Sequence, residues 1–174
     1  MKTLTDQLAQ YAAYHRDRRN IATHFVGIPM IVVAVATLLS RPGIDVGGLL
    51  LTPALVVTGL TVAYYLLLDL RFGLAMAVAM AASLAVGYWF AAHSTAFWLT
   101  GGIGLFVAGW VLQFIGHYYE GKKPAFVDDL VGLVIGPLFV MAEAAFALGL
   151  RDGERQRIEA RVGPTLIRPR AAQA

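Results

Sequence analysis

Four histidines are the side chains of this sequence best suited to bind a metal ion: His15, His24, His93 and His117. Imidazole is a good ligand for iron(II), zinc(II) and copper(II), and three protein ligands leave open positions for water or substrate. The chain contains no cysteine, which excludes thiolate ligands, disulfide bonds and a cysteine nucleophile. The chemistry therefore depends on which histidines the fold brings together.

Apolar helices must position these histidines. Hydrophobic residues make up 58% of the chain and charged residues 14%, whereas a soluble domain carries about 25% charge. The charge deficit lies between about residues 21 and 150, and its apolar runs approach the ~20 residues that cross a bilayer. We expect an all-α, polytopic membrane bundle in a single transmembrane domain, residues 1–150, with four spans at about 21–40, 48–68, 72–92 and 97–118.

The segment before the first span has the periodicity of an amphipathic helix. Leu4, Leu8, Tyr11 and His15 fall near one face of residues 3–17, which predicts a helix that lies along the membrane surface. We expect the helical pattern to break at residues 18–20, with Asn20 as the N-cap of the first span.

A fifth apolar segment, residues 130–150, contains Gly132, Gly136 and Pro137. It either spans the bilayer or re-enters as a broken hairpin, provided that its irregular backbone is buried in protein. Residues 151–174 are polar and Arg-rich, and we expect a partly disordered cytoplasmic tail.

Basic residues predict the orientation, because cytoplasmic loops carry an excess of lysine and arginine. With the N-terminus in the cytoplasm, only Arg41 lies outside among the loops of the first four spans. Seven basic residues then lie inside: Lys2, Arg16, Arg18, Arg19, Arg71, Lys122 and Lys123. The tail arginines join them if the fifth segment re-enters, which is the path that we favour. The net charge of +3 then reflects topology, and we expect no nucleic-acid partner.

This topology divides the histidines between the two sides of the membrane. His15, His24 and His117 lie at the cytoplasmic side and His93 at the opposite side. On one continuous helix His15 and His24, nine residues apart, would point about 180° apart, so they share a site only if the chain breaks between them. Each histidine alone also fits an ordinary solvated or hydrogen-bonded side chain at the interface.

Two carboxylates accompany this group. Glu120 lies on roughly the same helical face as His117 and could be a ligand or orient an imidazole; an ion pair with Lys122 or Lys123 is the alternative. Glu143 lies within an apolar run, where an ionisable group is a functional candidate.

Two segments resemble the signatures of the Mpo-type 2-hydroxy fatty acid dioxygenases, which are small polytopic proteins of the fungal endoplasmic reticulum with many bacterial relatives. YHRDRRNIATHFVGIP, residues 14–29, is similar to the first signature. QFIGHYYEGKKPAFVDDL, residues 113–130, is similar to the second. The resemblance covers about residues 8–150, and the order and helix placement of the two motifs also agree with the family.

The resemblance implies an Fe(II)-dependent dioxygenase that uses O₂ to shorten a 2-hydroxy fatty acid by one carbon, an alpha-oxidation. It implies His15, His24 and His117 as metal ligands, joined by Glu120. His93 also matches a family histidine in its spacing to the second motif. We take Glu120 and Glu143 as catalytic candidates. Side chains near the histidines are candidates for substrate binding: Arg18, Arg19, Asn20, Gln113, Lys122 and Lys123.

Other functions remain compatible with the sequence. Zinc fits three histidines as well as iron does and would indicate hydrolysis. A non-catalytic lipid-binding scaffold or a small transporter are further alternatives, although a transporter needs ionisable groups near the midplane and only Glu143 qualifies. The expected location is the inner membrane of a bacterium or the endoplasmic reticulum of a eukaryote. Substrate chain length and oligomeric state stay open.

Overall fold

Helices account for most of the chain, as the apolar runs predict. The computed structural model describes residues 2–124 and 129–167. Residues 125–128 of the second signature and residues 168–174 of the tail lie outside the described residues. The elements are α1 (Leu4–Ala12), α2 (Arg18–Ser40), β1 (Ile44–Val46), β2 (Leu49–Leu51), α3 (Pro53–Leu68), α4 (Leu70–Ala91), α5 (Thr95–Glu120), α6 (Val131–Ala147) and α7 (Asp152–Val162).

Three helices are long and apolar enough to cross a membrane: α2 with 23 residues, α4 with 22 and α5 with 26. Helix α3 is apolar but has 16 residues, and α6 with α7 would form a further span only across a bend of 116°. Large aliphatic side chains such as Leu67 and Val78 are each 73% exposed, which suits lipid and not water. These observations confirm an all-α multi-pass membrane protein.

The second expected span, residues 48–68, differs from the structure at its start. Gly47 and Gly48 have φ values of +62° and +87° and form the tight turn of the β1–β2 hairpin, where positive φ favours glycine. Thr52 then caps α3, with Pro53 in its first turn. The helix therefore starts at Pro53, and the small hairpin is an addition to the expected all-α fold.

Contacts divide the described chain into two compact units. One unit contains the chain up to Ile28 and again from Val111, and the other contains Pro29–Trp110. In the second unit, Gly87 lies against the backbone of Ala36 so closely that a Cβ would be 2.8 Å from its carbonyl carbon. Small residues of this kind let membrane helices approach each other.

The first unit contains the largest departure from the sequence prediction. Helix α1 ends at Ala12 instead of continuing to residue 17. The backbone N–H groups of Arg16 and Asp17 donate to the carboxylate of Glu120, at 2.9 and 2.7 Å, and not to helix carbonyls. The expected break at residues 18–20 is therefore wrong. It lies at residues 13–17, and Asn20 lies inside α2 rather than at its N-cap.

The described part of the tail contains helix α7, which packs on α1. Thr5 Oγ1 donates to Glu154 at 2.5 Å and Arg161 Nη1 to Asp6 at 2.7 Å. Beyond α7, Leu166 exchanges backbone hydrogen bonds with the loop before α2: its N–H donates to Arg16 O at 2.9 Å, and its carbonyl accepts from the Arg18 N–H at 3.0 Å. The two ends of the chain are thus held together.

Both ends of α6 also contact the N-terminal region. Before α6, Asp129 accepts a hydrogen bond from Gln10 at 3.2 Å. Near its C-terminal end, Glu143 lies 3.7 Å from Arg16. Tyr11 approaches its middle, since a Cβ at Gly136 would be 2.9 Å from the Tyr11 hydroxyl.

The contact between Asp6 and Arg161 gives a prediction on acid stability. The hydrogen bond from Arg161, followed by one from Thr3, holds the pKa of the Asp6 carboxyl far below its ordinary value of 3.8. Because the folded-state pKa is depressed, this contribution to stability is present above pH 3.8 and is lost progressively as the pH falls from there through the lower folded-state value. Asp6→Asn should therefore speed hydrogen exchange of the α7 amides at neutral pH and remove this acid transition.

Asp152→Asn is the matched control, because its ion pair with Arg155 lies within α7. Equal exchange rates in the Asp6→Asn and wild-type proteins would contradict the prediction.

Candidate metal centre

His15, His24 and His117 form one buried cluster. One ring nitrogen of each lies within 4.8 Å of the others, and the three residues are 0%, 1% and 7% exposed. The ring centroids are separated by 4.6, 4.9 and 5.2 Å. Imidazole–metal bonds of about 2.0–2.1 Å place ligand nitrogens within roughly 4 Å of one another, so small side-chain rotations would bring all three onto one ion.

Backbone carbonyls fix the orientation of two of the rings. Nδ1 of His15 lies 2.7 Å from the Tyr11 carbonyl oxygen, and Nδ1 of His24 lies 2.8 Å from that of Asn20. Because a carbonyl only accepts, each Nδ1 carries the proton and each Nε2 presents a lone pair. These two Nε2 atoms are 3.0 Å apart. Facing lone pairs repel unless a cation lies between them, so the donor set fits a metal ion.

The surroundings of His15 keep its ring neutral. Tyr11 stacks on it with centroids 4.1 Å apart, and Phe139 lies 5.5 Å away. Burial, followed by the neighbouring His24, lowers the pKa of His15 well below its ordinary value of 6.5. The neutral imidazole is the form that binds a metal.

Gly116 allows the two ligand-bearing helices to approach each other. A Cβ at this position would overlap Thr23 Oγ1 and Asn20 Oδ1 on α2, and would lie 3.2 Å from His24 Nδ1. Gly116 lies within the second signature, and no role was predicted for it from the sequence. An isolated glycine inside a helix, directly before a candidate ligand, is the signal that indicates such an approach.

Glu120 holds the His15 loop against the end of α5. Its Oε2 accepts from the backbone N–H groups of Arg16 and Asp17 and, at 3.1 Å, from Asn20 Nδ2. It is 1% exposed, and the cluster found among the described residues contains histidines alone. These contacts support a further role for Glu120, positioning of the loop that carries His15, beside the two roles expected from the sequence.

Removing this carboxylate should weaken the metal site without removing a ligand. Glu120→Ala deletes the acceptor of three buried donors, and hydrogen bonds to a charged group contribute about 1.5–3 kcal/mol each. We expect metal affinity to fall about 10- to 100-fold, as for other groups that orient ligands, with a lower unfolding temperature. Metal titration and thermal unfolding measure both effects.

Glu120→Gln keeps one carbonyl acceptor, so its metal affinity and unfolding temperature should lie between those of Glu120→Ala and the wild type. Asp152→Ala, which removes an exposed carboxylate, is the control. Wild-type metal affinity in Glu120→Ala would refute the positioning role.

Three of the substrate-binding candidates have partners within the protein. Arg19 donates to the Asp17 carboxylate at 2.8 and 3.0 Å and lies over the Tyr119 ring. Asn20 donates to Glu120 and to the Tyr14 carbonyl. Lys122 donates to the Ala13 carbonyl at 2.8 Å. These contacts stabilise the loop that carries His15.

The remaining candidates are dispersed. Gln113 is 5% exposed, and within the described ranges its Nε2 has no hydrogen-bond partner. Arg18 and Glu143 line a cavity, and Glu143 is not a member of the cluster. Lys123 is exposed in the loop after α5. His93 lies in the second unit, with Nδ1 2.7 Å from the Trp89 carbonyl, and is also outside the cluster.

Comparison with known proteins agrees with the two signatures. A family model described as 2-hydroxy-palmitic acid dioxygenase Mpo1-like matches residues 1–148. The chain is 34% identical over 158 residues to the 2-hydroxy-palmitic acid dioxygenase MPO1 of Saccharomyces cerevisiae, an alignment that covers 90% of this chain and 87% of the yeast protein. No solved structure matches the chain. The resemblance is confirmed, and the chain belongs to the Mpo1-like family.

Proposed function

We propose that this protein is a membrane-embedded, Fe(II)-dependent dioxygenase that shortens 2-hydroxy fatty acids by one carbon with O₂. The observation that carries the proposal is the distance of 3.0 Å between the Nε2 atoms of His15 and His24, with His117 in the same buried cluster. Three histidine ligands leave positions open for substrate. Membership of the family supports the reaction and the substrate class.

The overall reaction balances without a further reductant. Loss of one carbon from a 2-hydroxy acid as carbon dioxide is a four-electron oxidation, and one O₂ accepts four electrons. A 2-hydroxy acid and O₂ therefore give the acid shorter by one carbon, carbon dioxide and water. Iron(II), held by His15, His24 and His117, would supply the one-electron chemistry that O₂ needs to react with a closed-shell acid.

The chain's own residues bind and orient the substrate. Gln113 lies one helical turn before His117 on the same face of α5. Its buried Nε2 has no partner in the described part of the chain, so it can donate to the carboxylate or 2-hydroxyl oxygen of the acid. The apolar helices offer the acyl chain a hydrocarbon environment, while the polar head reaches the membrane interface.

We propose a cytoplasmic N-terminus and four crossings, by α2, α3, α4 and α5, of which α3 with 16 residues is the shortest. Contacts between α1 and α7 hold both ends of the chain on one side, which requires an even number of crossings. Helix α6 contacts the N-terminal region through both of its ends, which supports a re-entrant path. The tail arginines then lie with the other basic residues, as the distribution of positive charge favours.

Removing and restoring the metal tests the proposed reaction. Purified protein stripped by a chelator should convert 2-hydroxy-palmitic acid only after reconstitution with Fe(II), to the acid with one carbon fewer and one carbon dioxide per O₂ consumed. Zn(II) should bind the same histidines without turnover, because it has no redox chemistry. Mass spectrometry of the acid product and an oxygen electrode measure the stoichiometry.

Turnover in zinc-loaded protein, or in protein free of metal, would refute the iron mechanism. Failure to bind iron after reconstitution would support the alternative of a lipid-binding scaffold.

A further inference from the structure

A cavity of about 280 Å³ adjoins the loop that carries His15. Its walls come from this loop, the start of α2, the end of α6, helix α7 and the segment that follows α7. Arginine and glutamate side chains line it together with apolar ones such as Phe146. The metal-ligand cluster does not use this cavity, and neither signature includes α7.

Two of the arginines in this cavity have donors available to a ligand. Within the described residues, the Arg18 side chain has no hydrogen-bond or ion-pair partner. The ion pair of Arg155 with Asp152 is 3.7 Å long, which exceeds a hydrogen bond. Away from the cavity, by contrast, Arg161 is bonded to Asp6 at 2.7 Å.

The balance of charge favours an anion. The lining contains three guanidinium groups, from Arg16, Arg18 and Arg155, and two carboxylates, from Glu143 and Glu159. Three positive and two negative groups leave a formal charge of +1. A guanidinium offers a planar pair of N–H donors that matches the two oxygens of a carboxylate or phosphate.

We propose that this cavity binds the carboxylate head group of a fatty acid, through Arg18 and Arg155. The inference rests on the proposed function, because the acid substrate and the shortened acid product share this head group. Apolar lining next to the arginines suits the first carbons of an acyl chain. The cavity and the metal centre are joined by one loop, in which Arg16 follows His15, so an acid bound here is held next to the place where it reacts.

Binding of palmitate labelled with ¹³C at the carboxyl carbon tests the proposal. The full chain is placed in nanodiscs of zwitterionic phosphatidylcholine, and carboxyl chemical shifts are titrated against empty nanodiscs. Arg18→Gln and Arg155→Gln should each weaken binding about tenfold, since each removes a charge-assisted hydrogen bond. Arg157→Gln is the matched control, because its side chain is 70% exposed, bonds Glu154 and lies outside the cavity lining. Unchanged palmitate binding in both cavity variants would overturn the proposal.

Two further experiments identify the source of the ligand and distinguish failure of this proposal from failure of the proposed reaction. Inorganic phosphate and nanodiscs that contain anionic phosphatidylglycerol provide the same oxyanion chemistry as a carboxylate. If either displaces all of the bound palmitate, the cavity is a site for phosphate groups instead. In His24→Ala protein, palmitate binding should persist while turnover is lost. Arginine-dependent binding in a protein that fails to turn over with iron would refute the oxygenase and leave the carboxylate site intact.

Discussion

Replacing His24 by alanine should remove iron binding and turnover together. Its Nε2 lies 3.0 Å from that of His15, the ring is almost fully buried, and the cluster among the described residues contains no fourth ligand. Two imidazoles would remain, which is one fewer than catalytic metal sites ordinarily use. We expect iron content to fall from about one ion per chain to less than about a tenth, and turnover to fall by more than the roughly 100-fold seen for groups that only orient ligands.

His93→Ala is the matched control, because this histidine is exposed, lies in the second unit and is absent from the cluster. It should keep wild-type iron content and turnover. His24→Gln retains most of the side-chain volume and separates the loss of a ligand from the loss of packing: it should fold as the wild type does and still bind no iron. Full activity in His24→Ala, or in the equivalent His117→Ala, would refute the metal centre.

The sequence predicted the members of the cluster better than the path of the chain between them. Positive charge and span counting separated His93 from the other histidines, and the structure brings those three together. The need for a break between His15 and His24 followed from helical geometry alone. The position of this break could not be predicted in the same way. The backbone N–H groups of Arg16 and Asp17 donate to Glu120, which lies more than one hundred residues further along the chain.

The packing of the tail on α1 could not be predicted from the sequence for a similar reason. Residues 152–162 are polar, with no apolar stripe that predicts a packed helix. Their stabilising partners, Thr5 and Asp6, lie at the other end of the chain. The arginine-lined cavity depends on this packing, so local patterns could not reveal it. The hairpin before α3 could have been predicted from the sequence. Gly47-Gly48 is a turn signal, and Thr52-Pro53 is a signal for the start of a helix.

A single methyl group at position 116 should weaken the metal centre although it removes no ligand. The Cβ of Gly116→Ala would overlap Thr23 Oγ1 and Asn20 Oδ1. Neither neighbour can move cheaply, because Thr23 donates to the Asn20 carbonyl at 2.8 Å and Asn20 donates to Glu120 at 3.1 Å. Displacing Asn20 therefore loosens the carboxylate that holds the His15 loop, and separates α2 from α5 where they carry His24 and His117.

Gly104→Ala on the same helix provides the comparison for Gly116→Ala. A Cβ at Gly104 would meet no atom within 4 Å, and alanine is the better helix former by about 1 kcal/mol, so this variant should unfold no earlier than the wild type. For Gly116→Ala we expect a loss of stability of about 1–3 kcal/mol from overpacking and at least a tenfold loss of iron affinity. Thermal unfolding and iron titration of the two variants side by side measure both effects. Equal iron affinity in the two variants would show that close approach of α2 and α5 at this glycine is not what brings the imidazoles together.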